Sequence, residues 1–397
     1  MPQLPRLTVA FLNENALGHR SYLPRFVDEL QRRPELGIDP VRIDVTPLPP
    51  AWARRANFSV RGLRRFGLDF HLARWRRVTS AWALRQVQEL RGTRRVDAVV
   101  VNTQSVALDL ASVAREVPTL VCLDATFEQL RRSPWFSLNR VAGWFTPLTL
   151  APIRARERAV FASAARLIGW SHAVVDSLAR EYGVKAERLG VLPPSLDLRQ
   201  WRRTGSGPMR EGRPEILFVG GDFVRKGGPL LLEAYARGLA SMADLHVVTE
   251  TAVTPPAGVR VHRGLTQGSP AWCERWERAS VFAFPSRLET FGIVLLEAMA
   301  FEVPVVASPV GVATELFGDG AAGWLLPPEV RAEDLRERLV EVLKDPDAAS
   351  ARARCGRARV ERDFDLATNT VRLADWVREA AAARRMESGG VSRAVGA

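Results

Sequence analysis

One pattern constrains this chain more than any other: short β-rich apolar runs alternate with helical periodicity, stop at one Gly/Pro-rich break, and then start again. Before the break the runs are LTVAFLN (7–13), VDAVVVN (96–102), PTLVCLD (118–124), ARLIGWS (165–171) and LGVLPPS (189–195). Helical patterns lie near SYLPRFVDELQRR and at HAVVDSLAREYG, the latter with Ser171 as N-cap and Gly183 as its stop. The break is RRTGSGPMREGRP (202–214), whose composition is that of a linker. After it come EILFVGG (215–221), DLHVVTE (244–250), VRVHRG (259–264), SVFAFPS (280–286), VPVVASP (303–309) and AGWLLPP (322–328). Strands that alternate with helices imply a parallel sheet covered on both faces. The expected fold is α/β: two Rossmann-like doubly wound domains facing across a cleft. The expected limits are 1–200 for the first and 201–370 for the second. A C-terminal helix over 371–388 is expected to pack back on the first domain, with a flexible tail over 389–397.

Composition excludes several classes. With 47% hydrophobic and 25% charged residues the chain is an ordinary globular sequence. No apolar run approaches the ~18–20 residues that span a bilayer. The apolar part of MPQLPRLTVAFLNENALGHR reads as a first strand, not a signal peptide. Cys122, Cys273 and Cys355 have no metal or redox spacing, which points to a reducing cytoplasm. The five histidines are scattered singly, which argues against zinc.

The net charge of +12 lies entirely in residues 1–200. Within that half, Ala51 to Arg95 carries twelve arginines against Asp69 and Glu89. The same stretch holds Trp52, Phe58, Phe66, Phe70, Trp75 and Trp82. One reading is an interfacial segment on anionic membrane, with Arg64, Arg65, Arg76 and Arg77 among its cations. The other is core aromatics beneath a solvated basic face. A second apolar patch, PWFSLNRVAGWFTPLTLAPI (134–153), is too interrupted to span and reads as a dipping segment or an acceptor groove. Nucleic-acid binding would rest on charge alone, and no nucleic-acid partner is expected.

In doubly wound sheets ligands bind at the carboxyl ends of strands, and three loops there carry chemistry. SVFAFPS exits into RLET, with Glu289 in the loop and Phe291, Gly292 and Ile293 opening a helix. Their N–H groups form an anion site at a helix N-terminus. Glu297 follows inside that helix. A nucleotide sugar would fit both carboxylates, with the sugar at Glu289, the diphosphate at the helix start and the ribose at Glu297. The competing reading is a helix cap at Glu289 and a surface residue at Glu297. In GGDFVRKGGP, Gly220 and Gly221 end a strand, and Arg225 and Lys226 precede a helix that begins near Pro229. This is either a diphosphate cradle or a basic turn. In CLDATFEQL, Asp124 either orients a ligand or caps a helix ahead of Thr126.

Together these segments resemble the retaining glycosyltransferases of the GT-B fold, glycosyltransferase family four (group 1). ILFVGGDFVRKGGPLLLEAY, SVFAFPSRLETFGIVLLEAMAFEVPVVASPVGVATEL and GAAGWLLPP carry the likeness. AARLIGWSHAVVDSLAREYGVKAERLGVLPPSLD looks like the end of the family's N-terminal domain. The resemblance covers about 165–330 well and weakens over 1–160. It implies a nucleotide-sugar donor, a glycan or lipid-linked acceptor, and a place in cell-surface polysaccharide or glycoconjugate synthesis. The cysteine pattern gives a cytoplasmic protein, and one reading of the basic half makes it peripheral on the inner face of the plasma membrane. Glu289 would hold donor-sugar hydroxyls, and the amides of Phe291, Gly292 and Ile293 the sugar or its phosphate. Glu297 would bind ribose, and Arg225 and Lys226 would neutralise the leaving diphosphate, so no metal or other cofactor is expected. Base readers are expected around Glu250 and His262–Leu265. The chain departs from the family in three places: Gly221 stands where relatives carry Arg, Gly18 is alone where they pair glycines, and Asp124 stands where many carry His. The alternative is a catalytically inactive relative that binds a nucleotide or sugar.

Overall fold

A computed structural model describes residues 6–15, 18–58, 70–132, 140–203 and 212–394, with backbone alone at 140–150 and 388–394. The chain divides into two compact units, Met1–Ser195 with Leu366–Ala397, and Leu196–Asp365.

The first unit is a six-stranded parallel sheet in the order β2-β1-β3-β4-β5-β6. Its strands are β1 (Leu7–Asn13), β2 (Ile38–Asp44), β3 (Ala98–Asn102), β4 (Thr119–Leu123), β5 (Arg166–Gly169) and β6 (Leu189–Val191). Every residue of β3 and β4 is buried, as expected of strands covered on both faces. The strand β2 has no counterpart in the sequence reading. Its sequence, IDPVRID, contains a proline and three charged residues, and only Ile38 is buried. It forms the sheet edge, where a proline costs no ladder bond and polar side chains reach water. The helix His172–Tyr182 stops at Gly183, which takes the left-handed conformation (φ 67°). Ser171 stands at its N-cap, but its hydroxyl makes no capping hydrogen bond.

The last helix, Leu366–Ala394, packs on this first unit. Trp376 lies against β6 at Gly190, where a Cβ would come within 2.7 Å of the indole. The Arg166 guanidinium stacks over the same ring at 5.0 Å and pairs with Glu379 at 3.1 Å. Asn369 Nδ2 donates to Ser195 Oγ at 2.9 Å. The helix continues through 389–394, where a flexible tail was expected, because extending an existing helix is cheaper than starting one. Residues 395–397 lie outside the described residues.

The second unit is a parallel sheet in the order β12-β11-β10-β7-β8-β9. Its strands are β7 (Glu215–Val219), β8 (Asp244–Val248), β9 (Val259–His262), β10 (Val281–Phe284), β11 (Val305–Ala307) and β12 (Trp324–Leu325). Among the described residues, no helix is long and apolar enough to cross a membrane.

Candidate functional site

In the second unit two loops at the carboxyl ends of neighbouring strands are pressed together. One follows β7 and runs from Gly220 to Gly227. The other follows β10 and runs from Pro285 to Gly292. A Cβ on Gly227 would sit 1.9 Å from the Pro285 carbonyl oxygen, so only glycine admits the approach. Gly227 is also left-handed (φ 81°) and starts the helix Gly228–Ala236. Arg287 N–H donates to the Arg225 carbonyl at 3.0 Å and locks the loops in register.

This contact brings three predicted residues together. Lys226 Nζ forms an ion pair with Glu289 Oε1. Arg225 reaches the same oxygen at 3.2 Å, the Leu288 carbonyl at 2.7 Å and Asp222 at 3.3 Å. Ser286 Oγ donates to Glu289 Oε1 at 3.1 Å. The Lys226 ammonium also lies 5.4 Å from the centre of the Phe284 ring. Two cations thus converge on one carboxylate that is only 9% exposed. Glu289 is not a helix cap, since Gly292 (φ 96°) occupies the N-cap of the helix Ile293–Ala300. The first-turn N–H groups of such a helix lack intrahelical acceptors and add positive potential beside the cations. Phe291 is buried and its carbonyl accepts from Val312 N–H at 2.9 Å.

Glu297 lies in the second turn of that helix and is buried (2% exposed), not at the surface. Gln267, from the segment after β9, donates its amide to Glu297 Oε1. Gly221 has open space where a Cβ would be, whereas a Cβ on Gly220 would meet the Lys226 stem at 2.8 Å. Thr251, after β8, braces this loop through the Gly221 carbonyl at 2.9 Å. Glu250 accepts from Gly264 N–H at 2.9 Å, so the expected base-reading segment is held by that carboxylate. His262 pairs with His246 at 3.1 Å. Burial, with Arg275 alongside, lowers the His262 pKa, and burial brings His246 to about 4. Gly311 went unassigned in the sequence reading. It is left-handed (φ 59°), and a Cβ there would lie 2.5 Å from the Phe291 carbonyl and 2.9 Å from Glu289 Cβ. Its signal was present in the quoted SPVGV.

In the first unit, Gly18 is the N-cap of the helix His19–Arg32, with right-handed backbone. Asp124 follows β4 and does not cap the next helix. Thr126 does so, in a reciprocal box: Thr126 N–H donates to Gln129 Oε1 at 2.9 Å and Gln129 N–H to Thr126 Oγ1 at 3.2 Å. Asp124 instead faces His19, whose Nε2 lies 3.4 Å from Asp124 Oδ2. His19 Nδ1 lies 3.3 Å from Asn102 Oδ1, and its ring centre 4.9 Å from that of Trp170. Behind them, Glu14 accepts from Ser105 Oγ at 2.5 Å and Thr103 Oγ1 at 3.1 Å. The sequence reading missed His19, Asn102 and Glu14, since single polar residues at a helix start and at the ends of two strands carry no local pattern.

The basic segment gives a mixed picture. Trp52 and Trp82 pack on each other at 5.2 Å and are half-buried, as core aromatics would be. Trp75 is half-buried as well, whereas Phe58 and Phe70 are exposed. Arg76 lies over the Phe127 ring at 5.9 Å, and Arg77 is exposed. Arg64, Arg65 and Phe66, with most of the 134–153 patch, lie outside the described residues or side chains.

Comparison with known proteins follows this geometry. The model of glycosyl transferases group 1 matches residues 260–361, and that of Glycosyltransferase Family 4 matches residues 25–200. A D-inositol 3-phosphate glycosyltransferase of Kribbella flavida is 29% identical over 232 residues, 52% of this chain and 54% of that protein. The chain thus spans about half the length of the curated relatives it matches. The sucrose-phosphate synthase structure from Thermosynechococcus elongatus superposes with a TM-score of 0.67 at 18% identity, over 95% of this chain and all of that one. Anabaena HepE, solved in complex with UDP-glucose, gives 0.62 at 15% identity, over 94% of this chain and all of that one. The paired parallel sheets match the GT-B fold of these neighbours. The chain belongs to the group 1, family four glycosyltransferases.

Proposed function

We propose that the protein is a retaining, metal-independent glycosyltransferase that moves a sugar from a nucleotide-diphosphate sugar to a glycan or lipid-linked acceptor in cell-surface polysaccharide or glycoconjugate synthesis. The observation that carries this reading is the convergence of Arg225 and Lys226 on Glu289 beside a helix N-terminus. As the glycosidic bond breaks, negative charge grows on the leaving diphosphate. Fixed cations and helix amides at that point lower the barrier without a metal. The bond from the sugar to the acceptor oxygen forms on the face the diphosphate leaves, and the acceptor proton passes to a diphosphate oxygen. Glu289 accepts donor-sugar hydroxyls and Glu297 the ribose. HepE, solved with UDP-glucose, supports this donor class.

The test is turnover of UDP-, GDP- and ADP-sugars in excess EDTA, with the product anomer read by NMR. Transfer with retention in EDTA is expected. Activity that is abolished by EDTA and restored by Mg²⁺ or Mn²⁺ would sink the metal-independent reading. Nucleotide binding with no turnover would favour the inactive-relative reading, to which Gly221 in place of the family Arg lends support.

The same proposal places the protein in the cytoplasm, resting on anionic membrane through its first unit. A groove of about 540 Å³ lined by Ala51, Arg54, Arg55, Phe58, Arg74 and Val78 supports it, with Phe58 61% exposed. Each engaged cation contributes ~1 kcal/mol. Co-sedimentation with phosphatidylserine vesicles should rise with anionic lipid, fall with salt, and drop when Arg54, Arg55 and Arg77 become Glu. Wild-type protein left in the supernatant at low salt would point to a soluble acceptor.

A further inference from the structure

Along the carboxyl edge of the first sheet runs a chain of polar groups that the diphosphate site does not use. It crosses four neighbouring strands: Asp44 at the end of β2, Asn13 at the end of β1, Asn102 at the end of β3, then His19 and finally Asp124 just past β4. Both ends are carboxylates, which when ionised only accept hydrogen bonds. That sets every group between them. Asn13 Nδ2 donates to Asp44 Oδ1 at 3.2 Å, so Asn13 turns its oxygen toward Asn102. Asn102 Nδ2 donates to that oxygen at 3.2 Å, so its own oxygen faces His19 Nδ1 at 3.3 Å. His19 must therefore donate from Nδ1. At 3.4 Å from Asp124 Oδ2 it donates from Nε2 as well. An imidazole that donates from both nitrogens is protonated.

The other groups around the ring favour the same state. Glu14, after β1, adds a second negative charge. Tyr22 and Cys122 stay neutral, since burial raises the Tyr22 phenol well above 10.0 and the Cys122 thiol to about 12. Arg20, next on the same helix, is exposed and bonds to the Asn15 carbonyl at 3.4 Å. Burial opposes the charge on His19, but Asp124, Glu14 and Asn102 together outweigh it, and the His19 pKa rises above the ordinary 6.5.

We infer that His19 is a positioning residue for the transfer reaction: its imidazolium, pinned by Asn102, orients the Asp124 carboxylate toward a hydroxyl of the acceptor. The inference rests on the glycosyltransferase reading. His19 keeps 12% and Asp124 16% of its side chain exposed, enough for a ligand hydroxyl to reach a pair that is otherwise fixed.

Two measurements test it. The chain has five histidines, so the imidazole carbon-bound protons can be assigned by single substitutions and titrated by NMR. His19 is expected to titrate above 6.5, and Asp124→Asn to lower its midpoint. A wild-type midpoint at or below 6.5 overturns the inference, and this arm needs no activity. In the second arm, wild-type kcat/KM falls on the alkaline side, about tenfold per pH unit beyond the His19 midpoint. His19→Gln lowers turnover about ten- to a hundred-fold, the size of one lost charge-assisted hydrogen bond, and abolishes that alkaline limb. The accompanying rise in KM is expected for the acceptor, and a rise confined to the donor KM overturns the inference. An alkaline limb that persists in His19→Gln overturns the inference even if the variant is slow. If His19 titrates high but no nucleotide sugar is turned over at any pH, the glycosyltransferase reading has failed and the positioning role falls with it.

Discussion

The two units carry the same six parallel strands but fix the groups at their carboxyl edges by different means. In the second unit the agent is steric. Gly227 and Gly311 let loops approach to distances no side chain permits, and the approach drives Arg225 and Lys226 onto Glu289. In the first unit the agent is a hydrogen-bond chain from Asp44 to Asp124, in which each amide is oriented by its neighbour. A steric device is local in sequence, whereas a relay across strands draws on residues from position 13 to position 124.

The largest effect expected from breaking this contrast lies in the second unit. Arg225→Ala and Lys226→Ala should each lower kcat by roughly 10²–10³, the usual loss for one electrostatic donor. The double variant leaves Glu289 without either cation, so it should also unfold more easily in urea. Adding Glu289→Gln should restore the urea midpoint but not turnover. Near-normal turnover in the double variant would remove the diphosphate assignment.

Acidity should move the stabilities of the two units in opposite directions. In the first unit burial lifts Glu157 to about 7 even though Tyr182 and Phe127 N–H donate to it. A carboxyl raised from 4.5 contributes stability that is full below 4.5 and is lost as pH rises through about 7. At ~1.4 kcal/mol per unit the loss is on the order of 3 kcal/mol. In the second unit burial lowers His246 from 6.5 to about 4, so its contribution is present above 6.5 and lost as pH falls toward 4. Calorimetric scans from pH 4.5 to 7 should show Glu157→Gln flattening the fall in the first unit and His246→Phe flattening the rise in the second. Parallel shifts of both transitions would contradict the assignment.

A smaller effect tests how the first unit is closed. Gly190→Ala places a Cβ against Trp376 and should cost about 1–3 kcal/mol, the price of overpacking a filled site. Trp376→Leu in the same chain should recover part of it, and an unchanged urea midpoint for the single variant would show that the helix yields. Smallest of all, Glu297→Gln should weaken a nucleoside diphosphate about tenfold, whereas Glu289→Gln should weaken only the intact nucleotide sugar. Titration calorimetry with both ligands decides it, and equal effects of both variants on both ligands would refute the division of labour.

The same contrast explains what the sequence disclosed. Eleven of the strands lie within runs that read as β from their apolar content. The exception, β2, is an edge strand whose Pro40, Asp39, Arg42 and Asp44 are permitted by the missing neighbour, and these same residues disguise it. Arg225, Lys226, Glu289 and Gly292 were legible because each lies within a few residues of a strand end or helix start. His19 was not, because its meaning depends on Asn102 and Asp124, which only the strand order brings beside it. For Asp124 the sequence left a ligand-orienting role and a helix cap both open, and Thr126 and Gln129 fill the cap.

The second unit is an insertion within the first, and its two ends meet: Leu196 bridges Asp365 in parallel and donates its N–H to the Phe364 carbonyl at 2.9 Å. Synthesis on the ribosome therefore delivers the parts out of structural order. All six strands of the first sheet emerge first, yet the face of β6 at Gly190 stays without its Trp376 cover until 186 positions further along the chain have been made. The inserted unit emerges whole while its host is still open. Through that interval the nascent first unit carries an uncovered seam at β6.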